Sequence, residues 1–88
     1  MEIEITRKFQ KQVADCNDQK IKSEIRKIIE LAEIAKSVSE IRNLKKLKGY
    51  KYFFRIRIGD YRIGIQHFGT KIIFAAFDRR SNIYKNFP

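Results

Sequence analysis

Histidine and cysteine are almost missing from these 88 residues, with His67 and Cys16 the single examples of each. One cysteine excludes an internal disulfide and any multi-cysteine metal site. There is no cluster of His, Cys or carboxylates at ligand spacing and no glycine-rich phosphate loop, so a metal hydrolase or an NTPase lacks its parts. No metal and no cofactor are expected. No apolar run approaches the roughly 20 residues that cross a bilayer. The first nine residues alternate glutamate with isoleucine and offer no apolar signal-peptide core. The chain reads as a reduced, cytoplasmic protein of one small domain, residues 1–88, with 43% hydrophobic content and enough periodicity to fold.

Acidic residues are the other scarcity, and they are scarce in one half only. Residues 1–41 balance eight Lys and Arg against eight Asp and Glu, whereas residues 42–88 set twelve Lys and Arg against Asp60 and Asp78 alone. The whole net charge of +10 therefore belongs to the C-terminal half. One-sided basic charge is the footprint of a polyanion binder, with a merely solvated basic face as the plain alternative.

Residues 50–66, YKYFFRIRIGDYRIGIQ, are what is present in strength: two alternating strands joined by Gly59-Asp60. Glycine at the first central position suits a type II′ turn. That turn predicts the pairs Ile58–Tyr61, Arg57–Arg62, Ile56–Ile63, Arg55–Gly64 and Phe54–Ile65. Because side chains alternate, one face collects Tyr52, Phe54, Ile56, Ile58, Tyr61, Ile63 and Ile65 as core. The other collects Lys51, Phe53, Arg55, Arg57, Arg62 and Gln66. Like charges directly opposite cost roughly 0.2–1 kcal/mol per pair, so Arg57 facing Arg62 makes sense if an anion sits between them.

The remaining segments support this hairpin. Residues 2–5 alternate as a strand. Thr6 is a candidate N-cap for a helix carrying Phe9, Val13 and Cys16 on one stripe, where Cys16 is a structural thiol. Asp18 caps a second helix over residues 19 to about 36, with Ile21, Ile25, Ile28, Ile29, Ala32 and Ala35 inward. Leu31 and Ile34 widen its apolar stripe, for packing by a neighbouring element or for a docking partner. Residues 37–48 form a linker in which Ser39 caps a short turn bearing Ile41 and Leu44. Residues 72–77 are a wholly apolar buried strand. A two-residue turn at Gly69-Thr70 delivers Arg79 to the basic face, and a one-residue bulge delivers Arg80 instead. The fold class is α+β: an N-terminal strand, a helical hairpin, then a three-stranded antiparallel meander, with the helices on one face of the sheet and the basic face open.

This order resembles the RelE/ParE superfamily of bacterial type II toxins. Three places carry the likeness: Leu47-Lys48-Gly49-Tyr50 with Arg55-Ile56-Arg57, then Gly59-Asp60-Tyr61-Arg62-Ile63, then Arg79-Arg80-Ser81-Asn82-Ile83-Tyr84. The resemblance implies a compact toxin neutralised by a cognate antitoxin. RelE-like members cleave mRNA in the ribosomal A site, while ParE-like members inhibit DNA gyrase on the same fold. It favours a ribosome-dependent, metal-independent endoribonuclease, in which 2′-OH attack leaves a 2′,3′-cyclic phosphate. The alternatives are a gyrase inhibitor and a non-catalytic nucleic-acid binder.

By that resemblance Arg62 holds the scissile phosphate through its guanidinium fork. Arg79 or Arg80 supplies the second clamp, and Tyr84 stacks on a base or assists proton transfer. Lys48, Lys51, Phe53, Arg55, Arg57 and Lys85 are the RNA-binding candidates, with ribosome and mRNA as partners. The family's frequent histidine is absent at Arg79, and guanidinium rarely releases a proton. The general base is therefore open between Tyr84 and Asp78. His67 lies on the core-side parity and reads as structural.

Overall fold

The computed structural model describes residues 1–88. Strand β1 (Glu2–Ile5) leads into helices α1 (Arg7–Ala14) and α2 (Gln19–Ile34). A 3-10 turn (Val38–Glu40) and strand β2 (Leu44–Lys46) follow. Then come β3 (Phe53–Ile58), β4 (Tyr61–Phe68), β5 (Lys71–Arg79) and a four-residue helix α3 (Ile83–Asn86). The strands form one sheet in the order β1-β5-β4-β3-β2. Pairing is antiparallel except between β1 and β5, which run parallel.

The β3–β4 hairpin has the predicted register at all five pairs, and Phe53 opposite Gln66 extends it. Gly59 sits at φ +55° while Asp60 keeps a negative φ, which is the type II′ pattern. Both helix caps also form as read. The Thr6 hydroxyl accepts the Phe9 N–H at 3.1 Å, and Asp18 accepts the N–H groups of Lys20 and Ile21 at 3.0 and 3.2 Å. In the turn between α2 and β2 the cap is Ser37 rather than Ser39. Glu40 returns its carboxylate to the Ser37 N–H, completing a capping box that fixes the turn from both ends.

Helices α1 and α2 close one face of the sheet. Phe9, Cys16, Ile25 and Ala32 meet Ile56, Ile58, Ile63, Ile65, Ile72, Phe74 and Phe77 in one continuous core, and Phe9 lies edge-on to Phe74 at 5.6 Å. Each such aliphatic or aromatic side chain, fully enclosed, stabilises the fold by about 1.5–3 kcal/mol relative to exposure. Phe74 and Phe77 are an odd number of residues apart yet both face this core. An alternating strand allows that only with an inserted residue. The insertion is Ala75: Gly64 pairs Ala76 while Ile65 pairs Phe74. The Thr6 hydroxyl reaches the carbonyls of Phe74 and Ala75 at 3.3 and 3.2 Å, and Gln12 Oε1 accepts the Phe77 N–H at 2.9 Å. Polar groups loosened by the bulge are thus satisfied from β1–α1.

Four further expectations are corrected. The linker over residues 37–48 contains an edge strand, β2, with Lys45 opposite Arg55. The helices do not all lie on one face, because α3 crosses the opposite one and buries Ala76, Ile83 and Phe87 against Leu47, Phe53 and Ala75. Gly64 admits this crossing, since a Cβ there would stand 2.5 Å from the Phe87 ring. Leu31 and Ile34 are not packed by a neighbour and remain 41% and 80% exposed. Tyr52, expected in the core, is 43% exposed where β3 begins and leans on Phe68 instead.

Candidate functional site

The sheet face away from α1 and α2 is basic, and α3 divides it. Where α3 lies, the surface is apolar and closed. Beside α3, a recess is lined by Lys45, Lys46, Leu47 and Lys48 from β2 and its continuation, Arg55 from β3, Arg62 from β4, and Arg80, Ser81 and Tyr84 from the β5–α3 segment. Six cations and no carboxylate surround it. Arg62 is fixed in place, its Nη1 donating to the Gly59 and Tyr61 carbonyls at 2.9 Å each. Arg55 Nη1 is similarly tied to the Asn43 carbonyl at 2.9 Å. Partial burial, then repulsion from Arg55, lowers the Arg62 guanidinium below the ordinary arginine range, while Tyr84 pulls it up; Arg57 and Arg80 add smaller repulsions. Such a group gains when an anion enters and offsets the repulsion.

The inserted residue in β5 decides which of two adjacent arginines reaches this recess. Arg80 does, and its backbone N–H is anchored on the Asp60 carbonyl at 2.8 Å. Arg79 does not: its guanidinium lies 5.2 Å over the Tyr61 ring, by a pocket containing Asp15, Cys16 and Asp18. Burial raises the Tyr61 phenol above its ordinary value, with Arg79 opposing the shift. Asp78, a candidate base, lines that same pocket and accepts the Arg79 N–H at 2.8 Å.

Other candidates are distributed as follows. Arg57 opposes Arg62 in the ladder, but its side chain lines a separate groove with Lys27, Leu31, Ile41 and Arg42. Phe53 is a packing residue, set edge-on between Phe87 and Tyr50 at 5.5 Å from each, so its ring is not free to receive a base. Lys48 borders the recess and an adjoining shallow groove, and Lys51 lines only the latter. Lys85 is exposed on α3. Tyr84 stands at the rim, 52% exposed. His67 bonds the Gly69 carbonyl at 2.8 Å and rests edge-on to Phe54, as a structural residue does. The sequence leaves Lys45 and Lys46 open between phosphate binding and a solvated loop, and gives no sign of Ser81 as a recess residue. The one signal was the lysine density of residues 45–48, which a solvated loop shares.

The sequence model of the family described as "ParE toxin of type II toxin-antitoxin system, parDE" matches residues 3–84. The chain belongs to this family of type II toxins. The toxin is 42% identical over 69 residues to Toxin RelE3 of Methanocaldococcus jannaschii, covering 77% of this chain and 78% of that one. Among solved structures it is similar to the RelB-RelE antitoxin-toxin complex from Methanococcus jannaschii, with a TM-score of 0.82 and 35% identity over 97% of this chain and 99% of that one. The isolated Escherichia coli RelE toxin shares its fold at a TM-score of 0.66 and 15% identity, covering 96% of this chain and 90% of that one. The expected family and α+β fold of the toxin are therefore established. No helix of the toxin is long and apolar enough to cross a membrane.

Proposed function

We propose that the toxin is a metal-independent endoribonuclease that cleaves mRNA on the ribosome, with Arg62, Arg80, Arg55 and Tyr84 as its working residues. The observation that carries this reading is the recess itself: arginines from β3, β4 and the end of β5 converge without a single acid among them. RNA cleavage through the 2′-OH builds negative charge on the scissile phosphate, and preorganised cations stabilise that charge at the transition state. Arg62, held on two carbonyls, grips a phosphate oxygen, and Arg80 from the same recess supplies the second cation. Tyr84 is the one phenol in the lining, suited to stack on a base or to pass a proton to or from a sugar oxygen. The products are a 2′,3′-cyclic phosphate and a 5′-hydroxyl. Residues 1–88 act as a single toxin domain, and its antitoxin is a protein with an acidic or amphipathic segment that complements the basic surface.

Inducing the toxin and its Arg62→Ala variant, then mapping mRNA ends by primer extension, tests the reading. Codon-linked cuts by the parent and none by a folded, antitoxin-binding variant are expected; full toxicity of Arg62→Ala rejects it. The matching family carries the ParE name, which favours gyrase inhibition as the second reading. DNA breaks with intact mRNA would establish that instead.

A further inference from the structure

Three of the toxin's exposed large aromatic side chains gather at one end of the sheet, and the recess described above does not use them. Tyr50, Tyr52 and Phe68 are 47%, 43% and 42% exposed. Tyr52 and Phe68 lie side by side with ring centroids 4.9 Å apart and planes inclined by 37°. Tyr50 is propped edge-on by Phe53, which is propped in turn by Phe87. The shallow groove that Tyr50 lines contains Lys46, Lys48 and Lys51 and no acid. It shares Lys46, Leu47 and Lys48 with the recess, so the two are continuous. The Lys51 ammonium stands 5.7 Å from the centre of the Tyr52 ring. Gly49, at φ +85°, has open space where a Cβ would stand, with no atom within 4 Å of that position.

We propose that Tyr50, Tyr52 and Phe68 form a base-stacking subsite for single-stranded RNA, reached from the recess along Lys46 and Lys48. This rests on the endoribonuclease reading and deepens it by stating where the strand flanking the cleaved bond runs. Cations in the order Lys48, Lys51 interleaved with Tyr50, Tyr52 match a polymer that alternates phosphates with flat bases. An acidic peptide would satisfy the lysines but leave the exposed ring faces unused. Stacking on such rings tolerates any base, because every base has a π face. The subsite therefore adds hold on the strand without adding sequence choice.

Fluorescence anisotropy with a labelled, non-cleavable 2′-O-methyl RNA of twelve nucleotides tests the subsite. The Tyr50→Leu/Tyr52→Leu double variant should bind at least about fivefold more weakly than the parent. Its salt dependence should be unchanged, because no phosphate contact is removed. Phe68→Leu, which keeps an apolar side chain, should show the same loss in smaller degree and serves if the double variant does not fold. The parent should bind an abasic twelve-mer at least as weakly as the double variant binds the intact strand. Arg62→Ala should weaken binding with a shallower salt slope. Parental affinity in both tyrosine and Phe68 variants, with Arg62→Ala still weakened, rejects the subsite and leaves the endoribonuclease reading standing. Unchanged affinity in all variants, Arg62→Ala included, rejects both. A glutamate-rich peptide bound as tightly as the RNA, and lost in the tyrosine variants, overturns the subsite in favour of a protein-docking surface.

Discussion

On one face of the sheet, two helices of eight and sixteen residues enclose Ile56, Ile63, Ile65, Ile72 and Phe74 completely. On the other face a helix of four residues covers little more than Gly64, Ala75 and Ala76, and the recess beside it draws its charged side chains from arginines and lysines alone. The contrast separates two jobs. The enclosed face holds most of the burial that offsets chain entropy, because a full helical layer excludes water from it. The half-covered face must be tolerable in water, so it can spend its side chains on charge at the expense of mutual repulsion. Substitutions on the two faces should therefore fail in different ways.

The largest effect belongs to the enclosed face. Phe9→Ala removes a ring that meets both Phe74 and Phe77, and should cost about 3–5 kcal/mol in urea denaturation. Total stability for a domain of this kind is about 5–15 kcal/mol, so the variant should lose a large share of it. A loss below about 1 kcal/mol would break the contrast. Next come the paired variants Arg80→Ala and Arg79→Ala, read by mRNA cleavage rate. Arg80→Ala should slow cleavage about 10²–10³-fold, as loss of one preorganised charge partner does. Arg79→Ala should stay within about threefold, and equal losses would show that the β5 bulge does not select between them. Gly64→Ala is smaller in stability, about 1–3 kcal/mol from overpacking. It should displace Phe87 and carry Tyr84 with it, lowering cleavage while the enclosed core stays intact, as seen by near-UV spectra of the aromatic residues. The smallest is Ile34→Lys, whose side chain is already in solvent, and which should fall within about ±0.5 kcal/mol of the parent.

The two faces were also unequally legible. The β3–β4 register could be read in full because a two-residue turn with Gly59 leaves only one pairing. Thr6 and Asp18 were readable as caps because a short polar side chain before an apolar stripe has little other use there. Strand β2 escapes notice because it is three residues long and two of them are lysines, which strands seldom favour. Helix α3 is too short to show a period at all. The choice between Arg79 and Arg80 stays open in the sequence, since apolar residues run unbroken from 72 to 77 and no polar residue marks the inserted Ala75. Only the demand that both Phe74 and Phe77 face α1 resolves it, and that demand exists only once the helix is in place. Phe53 carries the parity of the basic face, and it is the arrival of α3 from the far end of the chain that converts it to packing.

Thr6 joins these stories through a single oxygen atom. Its hydroxyl accepts the Phe9 N–H in the first turn of α1 and reaches the carbonyls of Phe74 and of the inserted Ala75. The start of the first helix and the phase of the last strand are thereby clocked to each other, although 68 positions separate Thr6 from Phe74. Which arginine lines the recess is in this sense set at the opposite end of the chain, by a residue that bonds to neither.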